Sequence, residues 1–188
     1  MPGDAKTNSL GEIQLAAYDP AWPRHYVEER ARLTGLAGGV FSNIEHFGST
    51  AVPGLRAKPT IDIMASIGDL RGLEPVTPRL RDAGYAEMSE AFAFRRFFRK
   101  DASKDRPSFH LHVVTDAAWP NKSERIFRDW LIAHPEAAEE YGRLKDALAL
   151  RFADDREAYT EAKSEFIRGV VNSARRSLGL PPLTDWAE

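Results

Sequence analysis

One stretch of this chain concentrates residue types able to do chemistry: Ile44-Glu45-His46-Phe47-Gly48-Ser49-Thr50-Ala51-Val52-Pro53-Gly54-Leu55-Arg56-Ala57-Lys58-Pro59-Thr60-Ile61-Asp62-Ile63-Met64. An apolar run ends in a Gly-Ser turn, where free backbone amides can hold a phosphate oxygen. Gly48 permits close backbone approach, and Ser49 and Thr50 add hydroxyl donors. Lys58 supplies a compact positive charge suited to phosphate. Asp62 stands inside a β-branched apolar run, where a carboxylate must pair with an arginine, hold a metal, or cost several kcal/mol of desolvation. Strand alternation puts Thr60, Asp62 and Met64 on one face and Ile61, Ile63 and Ala65 on the other.

A second signal lies in Phe109-His110-Leu111-His112-Val113. Histidines two apart in a strand present both imidazoles on one face. With a carboxylate on a neighbouring strand they make a divalent-metal or phosphate site; by themselves they read equally as two hydrogen-bonded histidines beside a cleft. Arg95, Arg96, Arg99 and Lys100 interleave with Phe92, Phe94, Phe97 and Phe98. Most of that segment reads as a half-buried strand with a basic face, although Arg96 can reach a triphosphate held at the Gly-Ser turn. Arg128, Asp129 and Lys145 read as helix-surface charges. Lys163 is slightly less ordinary, because no acid stands beside it at helical spacing, but it too reads as a surface charge sooner than as a site residue. The chain contains no His-Glu-x-x-His, no Walker-type loop and no Gly-x-Ser-x-Gly, which removes the zincin, P-loop and α/β-hydrolase readings.

These residues need elements to position them. Asp19-Pro20 opens a helix that Gly35, Gly38 and Gly39 close. Strands are expected at 40–47, 60–67, 92–100 and 108–115, with a helix at 70–84 and a hairpin loop at 101–106. After Trp119-Pro120 the pattern turns helical, over 123–133, 135–152 and 154–178, with His134-Pro135 as a break. The fold class is therefore α+β: a mixed sheet flanked by helices, with a C-terminal helical annex. A loose arm is expected over 1–10 and one folding unit over 11–180, its sheet core at about 40–116 and its annex at about 120–178.

Composition narrows the partners. With 26 Lys+Arg against 28 Asp+Glu, the chain lacks the basic excess of a duplex nucleic-acid binder. The absence of cysteine excludes disulfides, thiolate metal sites and cysteine nucleophiles, so any metal must sit on Asp62, the histidines or Glu45. No apolar run is long enough to span a membrane, and the first residues lack a secretory signal; a cytoplasmic location is expected.

With those motifs in hand, the chain resembles the GrpB family, a branch of the polymerase β-like nucleotidyltransferase superfamily. The resemblance runs from Tyr18 to Val170. It rests on Tyr18-Asp19-Pro20-Ala21-Trp22, the stretch from Glu45 to Leu55, Lys58-Pro59-Thr60-Ile61-Asp62-Ile63, and His110-Leu111-His112-Val113. Phe127-Arg128-Asp129-Trp130-Leu131, His134-Pro135, Tyr141, Leu144-Lys145, Tyr159, Lys163 and Phe166-Ile167 complete it. The resemblance implies a Gly-Ser turn beside a metal-bearing strand, a nucleoside triphosphate as ligand, and a divalent metal, Mg²⁺ or Mn²⁺, as cofactor. It implies nucleotidyl transfer to a small-molecule acceptor, which in the wider superfamily uses an Asp-x-Asp pair, a third carboxylate and two Mg²⁺ ions. The family also occurs fused to dephospho-CoA kinase, which adds CoA-like metabolites to the ligand class.

This chain departs from the superfamily pattern. Thr60 precedes Asp62 by two residues and Met64 follows by two, so the pair is a single aspartate, and His110 and His112 stand where a third carboxylate is expected. Glu45 is the remaining candidate for a second carboxylate. Three readings are open. In the first, Gly48, Ser49, Thr50, Lys58 and Arg96 hold phosphates, Asp62, His110, His112 and Glu45 hold the metal, and His110 or His112 also serves as general base. The second is a non-catalytic phospho-ligand-binding module. The third is a metal-dependent hydrolase built on Asp62 and the two histidines.

Overall fold

The computed structural model describes residues 13–88 and 94–183. Helix α1 (Trp22–Ala37) starts with Pro23 in its first turn, while the Asp19 carboxylate accepts from the Ala21 amide at 2.8 Å. It buries Trp22, Leu33 and Ala37 and ends at Gly38, whose left-handed φ of 59° breaks the helix. Strand β1 (Asn43–Phe47) comes next, then a 3₁₀ turn over Ser49–Ala51 and strand β2 (Thr60–Ile67). The helix expected over 70–84 divides into a 3₁₀ turn, Leu70–Leu73, and α2 (Thr77–Asp82). Pro75 offers no amide to continue the first piece, and Pro78 suits the first turn of the second.

A two-residue strand β3 (Ala86–Glu87), too short to leave a periodic signal, precedes β4 (Arg95–Lys100) and β5 (Ser108–Thr115). The expected strand 92–100 thus begins at Arg95; positions 92 and 93 lie outside the described residues, as does the arm expected over 1–10. The annex comprises α3 (Ser123–Ala133), α4 (Pro135–Arg151), α5 (Arg156–Glu161) and α6 (Ser164–Ser177). The single helix expected over 154–178 is broken at Ala162-Lys163, where the Thr160 and Ser164 hydroxyls bond back to carbonyls four residues earlier and loosen the helical ladder.

The five strands form one sheet in the order β1-β2-β5-β4-β3, in which β2–β5 is parallel and the other pairs are antiparallel. This is the expected α+β fold, a mixed sheet flanked by helices. One sheet face carries Ile61, Ile63, Ala65, Phe98, Phe109, Leu111 and Val113, packed against α1 and α2. Burying each Ile or Leu there contributes roughly 1.5–3 kcal/mol. The opposite face carries Phe47, Met64 and Val114 under Trp119, and beyond that apolar lid the polar residues of the site. The annex docks on the loop after the Gly-Ser turn, through Val52 and Leu55 against Leu131, Ala138 and Tyr141. Among the described residues no helix is long and apolar enough to cross a membrane.

Candidate functional site

The site begins at the end of β1, where Gly48 takes φ 74° and ψ −174°. That conformation is essentially confined to glycine. A Cβ there would collide with the Asp62 carboxylate and lie 3.1 Å from its Cβ and Cγ, so glycine is what allows turn and aspartate to touch. Thr50 is buried behind the turn; its hydroxyl donates to the Thr60 carbonyl at 3.0 Å and lies 3.0 Å from His46 Nε2. The hydroxyl expected to meet phosphate therefore ties the turn to β2 instead. Ser49 hydrogen-bonds the Tyr141 side chain.

Strand register assembles the next layer. Asp62 pairs with His110 and Met64 with His112 across the parallel β2–β5 ladder, which places all four on one face. His110 Nδ1 lies 3.2 Å from Asp62 Oδ1. One ligand atom each from Asp62, His110 and His112 lies within 4.8 Å of the other two. His112 is the deepest of the three, stacked on Phe97 at 4.5 Å and edge-on to Phe47 at 5.2 Å. Burial, with the positive charge of Arg95 second, holds its imidazole well below the usual histidine range, so it is neutral.

Above this layer the annex closes a cavity of about 210 Å³ whose lining includes Ser49, Lys58, Thr60, Asp62, His110, Tyr141, Lys145, Arg156, Tyr159 and Lys163. Four basic side chains, Lys58, Lys145, Arg156 and Lys163, thus face a single carboxylate. Their crowding is expressed in their acidity. Burial, aided by Lys163, brings Lys145 down to about 7. Burial, aided by Lys58 and Arg156, brings Lys163 down to about 8. Lys58 is lowered in turn by burial and by Arg156. Lys163 Nζ sits 4.0 Å and Lys58 Nζ 5.1 Å from the Tyr159 ring centre, and Lys145 Nζ 4.9 Å from that of Tyr141. Cation–π contact thus partly offsets the mutual repulsion of these lysines. A second, mainly apolar cavity of about 180 Å³, lined by Phe47, Val52, Phe127, Leu131 and Ile167, shares Ser49 and Tyr141 with the first.

Gly48, Ser49, Lys58, Asp62 and His110 are therefore brought together, with His112 at the floor. Two expected residues are not. Arg96 has the register of the opposite sheet face, because it is Phe97 and Arg99 that pair with His112 and His110. Its guanidinium is held by Glu87 at 2.5 and 2.7 Å, so it does not reach the turn. Glu45 does share the face of Asp62, since Phe47 pairs with Asp62 and Glu45 with Met64. Its carboxylate, however, is clamped by Arg125 at 2.9 and 3.0 Å and Arg128 at 2.9 Å, which hold it below the usual carboxylate range against the cost of burial. It is spent on that ion pair and does not join Asp62 and the histidines.

The sequence reading does not place Lys145, Arg156, Tyr141 and Tyr159 in the site, and Lys145, read as a surface charge, is 3% exposed. The signal available for the annex is the lack of an acid three or four residues from Lys163. Helical periodicity alone cannot show which face of α4 to α6 turns toward β2.

Residues 12–173 match the family model described as GrpB protein. The glutamate-rich protein GrpB of Alkalihalophilus pseudofirmus is 34% identical over 168 residues, covering 86% of this chain and 95% of that protein. A dephospho-CoA kinase of Mycolicibacterium paratuberculosis is 27% identical over 94% of this chain and 47% of its own length. Relatives thus differ in extent, and the chain spans from about half (46%) to nearly all (95%) of the curated relatives it matches. Among solved structures, the conserved protein GrpB from Enterococcus faecalis superposes with a TM-score of 0.79 at 28% identity, covering 88% of this chain and 99% of that one.

Proposed function

This chain belongs to the GrpB family, and from that premise we propose that it binds a nucleoside triphosphate, or a related phosphorylated metabolite, by its phosphates. The observation that carries the reading is the charge of the cavity above Asp62: Lys58, Lys145, Arg156 and Lys163 against Asp62 alone. Such crowding costs the empty protein stability, and an anion of several charges relieves it. The Gly48-Ser49 turn offers backbone approach, and the Ser49 hydroxyl a donor, beside those cations. The adjoining apolar cavity, separated from the first by Ser49 and Tyr141, supports an organic group attached to the phosphates.

The donor set limits the chemistry available once a ligand is bound. A pair of Mg²⁺ ions requires several hard oxygen ligands. Here Thr60 and Met64 flank Asp62 at the two-residue spacing, Glu45 is held by arginines, and the remaining ligands are imidazoles. The residues therefore do not fit the Mg²⁺ pair of the wider superfamily, and phosphate binding is the better-supported part of the reading. Within it, the lysines and the turn position the phosphates, and Tyr141 orients Ser49.

Titration calorimetry with inorganic pyrophosphate, tripolyphosphate and ATP, all free of metal, tests this. Micromolar binding that weakens with salt is expected, ATP binding more tightly than tripolyphosphate, and Lys163→Met weakening all three. No binding of any of the three at millimolar concentration would sink the proposal. Pyrophosphate release from ATP with Mg²⁺ or Mn²⁺ and small hydroxyl or amine acceptors, lost in Asp62→Asn, would extend binding to nucleotidyl transfer.

A further inference from the structure

The mismatch with a Mg²⁺ pair has a positive side. We infer that Asp62, His110 and His112 form a site for one divalent transition-metal ion, of the Mn²⁺-to-Zn²⁺ series, that discriminates against Mg²⁺. Among the described residues this is the group of three carboxylate and imidazole side chains whose ligand atoms converge, all within 4.8 Å. The 3.2 Å between Asp62 Oδ1 and His110 Nδ1 is close to the separation of two neighbouring ligands on an ion with bonds of about 2.0–2.2 Å. His112 contributes a second, independent observation: its Nδ1 is buried without any hydrogen-bond partner, a deficit of the kind coordination removes.

The chemistry of the donors selects the ion. One carboxylate with two imidazoles suits Zn²⁺, Fe²⁺, Co²⁺ or Mn²⁺, whereas Mg²⁺ prefers oxygen and keeps its water. Charge selects the number. Two dications would set four positive charges against one carboxylate in a cavity already lined by four cationic side chains, while a single ion adds only two. Rigidity comes from the fold: β2 and β5 are adjacent strands in fixed register, and the Phe97 and Phe47 rings lock the His112 imidazole. Gly48 against the Asp62 carboxylate brings the Gly-Ser turn next to the ion, yet three protein ligands leave positions open without any nucleotide present. Metal binding at this site is therefore independent of the phosphate reading.

The test uses the full chain, freed of any affinity tag and stripped with a chelator, in the absence of nucleotide. Titration with Co²⁺, monitored by its visible absorption, and competition by Zn²⁺ and Mg²⁺ give stoichiometry and selectivity. One Co²⁺ per chain is expected, displaced by Zn²⁺, with Mg²⁺ at least about 100-fold weaker than Zn²⁺. Asp62→Asn and His110→Gln, each checked for native circular dichroism, should weaken Co²⁺ binding by at least the roughly 10–100-fold that even outer-shell partners command. Both residues line the open cavity, so these variants keep the test independent of any folding defect in the deeper His112→Gln. Mg²⁺ binding as tightly as Zn²⁺, two ions per chain, no Co²⁺ binding, or affinity unchanged in both variants would each overturn the inference. Because pyrophosphate binding is measured without metal and Co²⁺ binding without phosphate, failure of one leaves the other standing.

Discussion

Replacing Lys145 with methionine separates the stability of the fold from the use of the cavity. The lysine is 3% exposed, and its ammonium group donates to the Arg56 carbonyl while Lys163 opposes it across the cavity. Burial first, and Lys163 second, lower its pKa from 10.5 to about 7. One pKa unit corresponds to about 1.36 kcal/mol, so holding that charge costs the folded protein on the order of 4–5 kcal/mol at and below pH 7. Proton counting gives the sign: between about pH 7 and 10.5 the unfolded chain binds more protons, so stability rises with pH across that window. Methionine removes the penalty but leaves the Arg56 carbonyl without its donor, a loss of about 1 kcal/mol. Lys145→Met should therefore stabilise the ligand-free protein by about 2–4 kcal/mol at pH 6.5, and by less at pH 9.5. Urea unfolding at those two pH values and at pH 8 measures the effect. Over the same samples pyrophosphate affinity should fall roughly 10- to 100-fold, the value of a hydrogen bond to a charged group. A variant no more stable than the parent at pH 6.5, or one that keeps full pyrophosphate affinity, refutes the reasoning that this lysine is a strained cation awaiting an anion.

Other perturbations probe the geometry around it. Gly48→Ala should cost at least about 2 kcal/mol, from a backbone conformation foreign to alanine and from collision with Asp62, and should abolish Co²⁺ binding. Gly35→Ala, in an exposed turn of α1 with nothing within 4 Å of the new methyl, should instead gain about 0.5–1 kcal/mol in the same denaturation assay. Arg96→Ala should leave pyrophosphate affinity unchanged and cost no more than about 1 kcal/mol, since it breaks a partly exposed pair with Glu87 on the far face. Finally, saturating pyrophosphate should tighten Zn²⁺ binding, and Zn²⁺ should tighten pyrophosphate by the same factor once complexes in solution are corrected for, because each offsets the charge that opposes the other. A factor of one in both titrations would show that the two sites are not electrostatically coupled.

Local chemistry made much of this legible. The β-branched run 60–67 and the alternating run 108–115 became strands with those bounds, because apolar alternation in a short segment has few other folded solutions. Gly48, Asp62 and the two histidines stood out because a buried carboxylate and paired imidazoles need a reason to be there. What remained illegible was everything decided between segments. Arg96 and Arg99 are alike in the sequence; only the register of β4 on β5 turns one toward the Glu87 side and the other toward His110. Glu45 lies on the right face, yet Arg125 and Arg128, some 80 residues away, claim its carboxylate. Lys145 sits on a helix whose periodicity marks an apolar stripe without saying what that stripe covers, and Lys163 sits in a break that the periodicity does not show. The break at Ala162-Lys163 and the docking of α4 and α5 over β2 convert two apparent surface lysines into cavity walls. The amino-acid sequence by itself determined the four longer strands, the helical annex, the Gly-Ser turn and the family. Only the tertiary structure decided which charges face which, because electrostatic partners are chosen by distance in space and burial, neither of which spacing along the chain encodes.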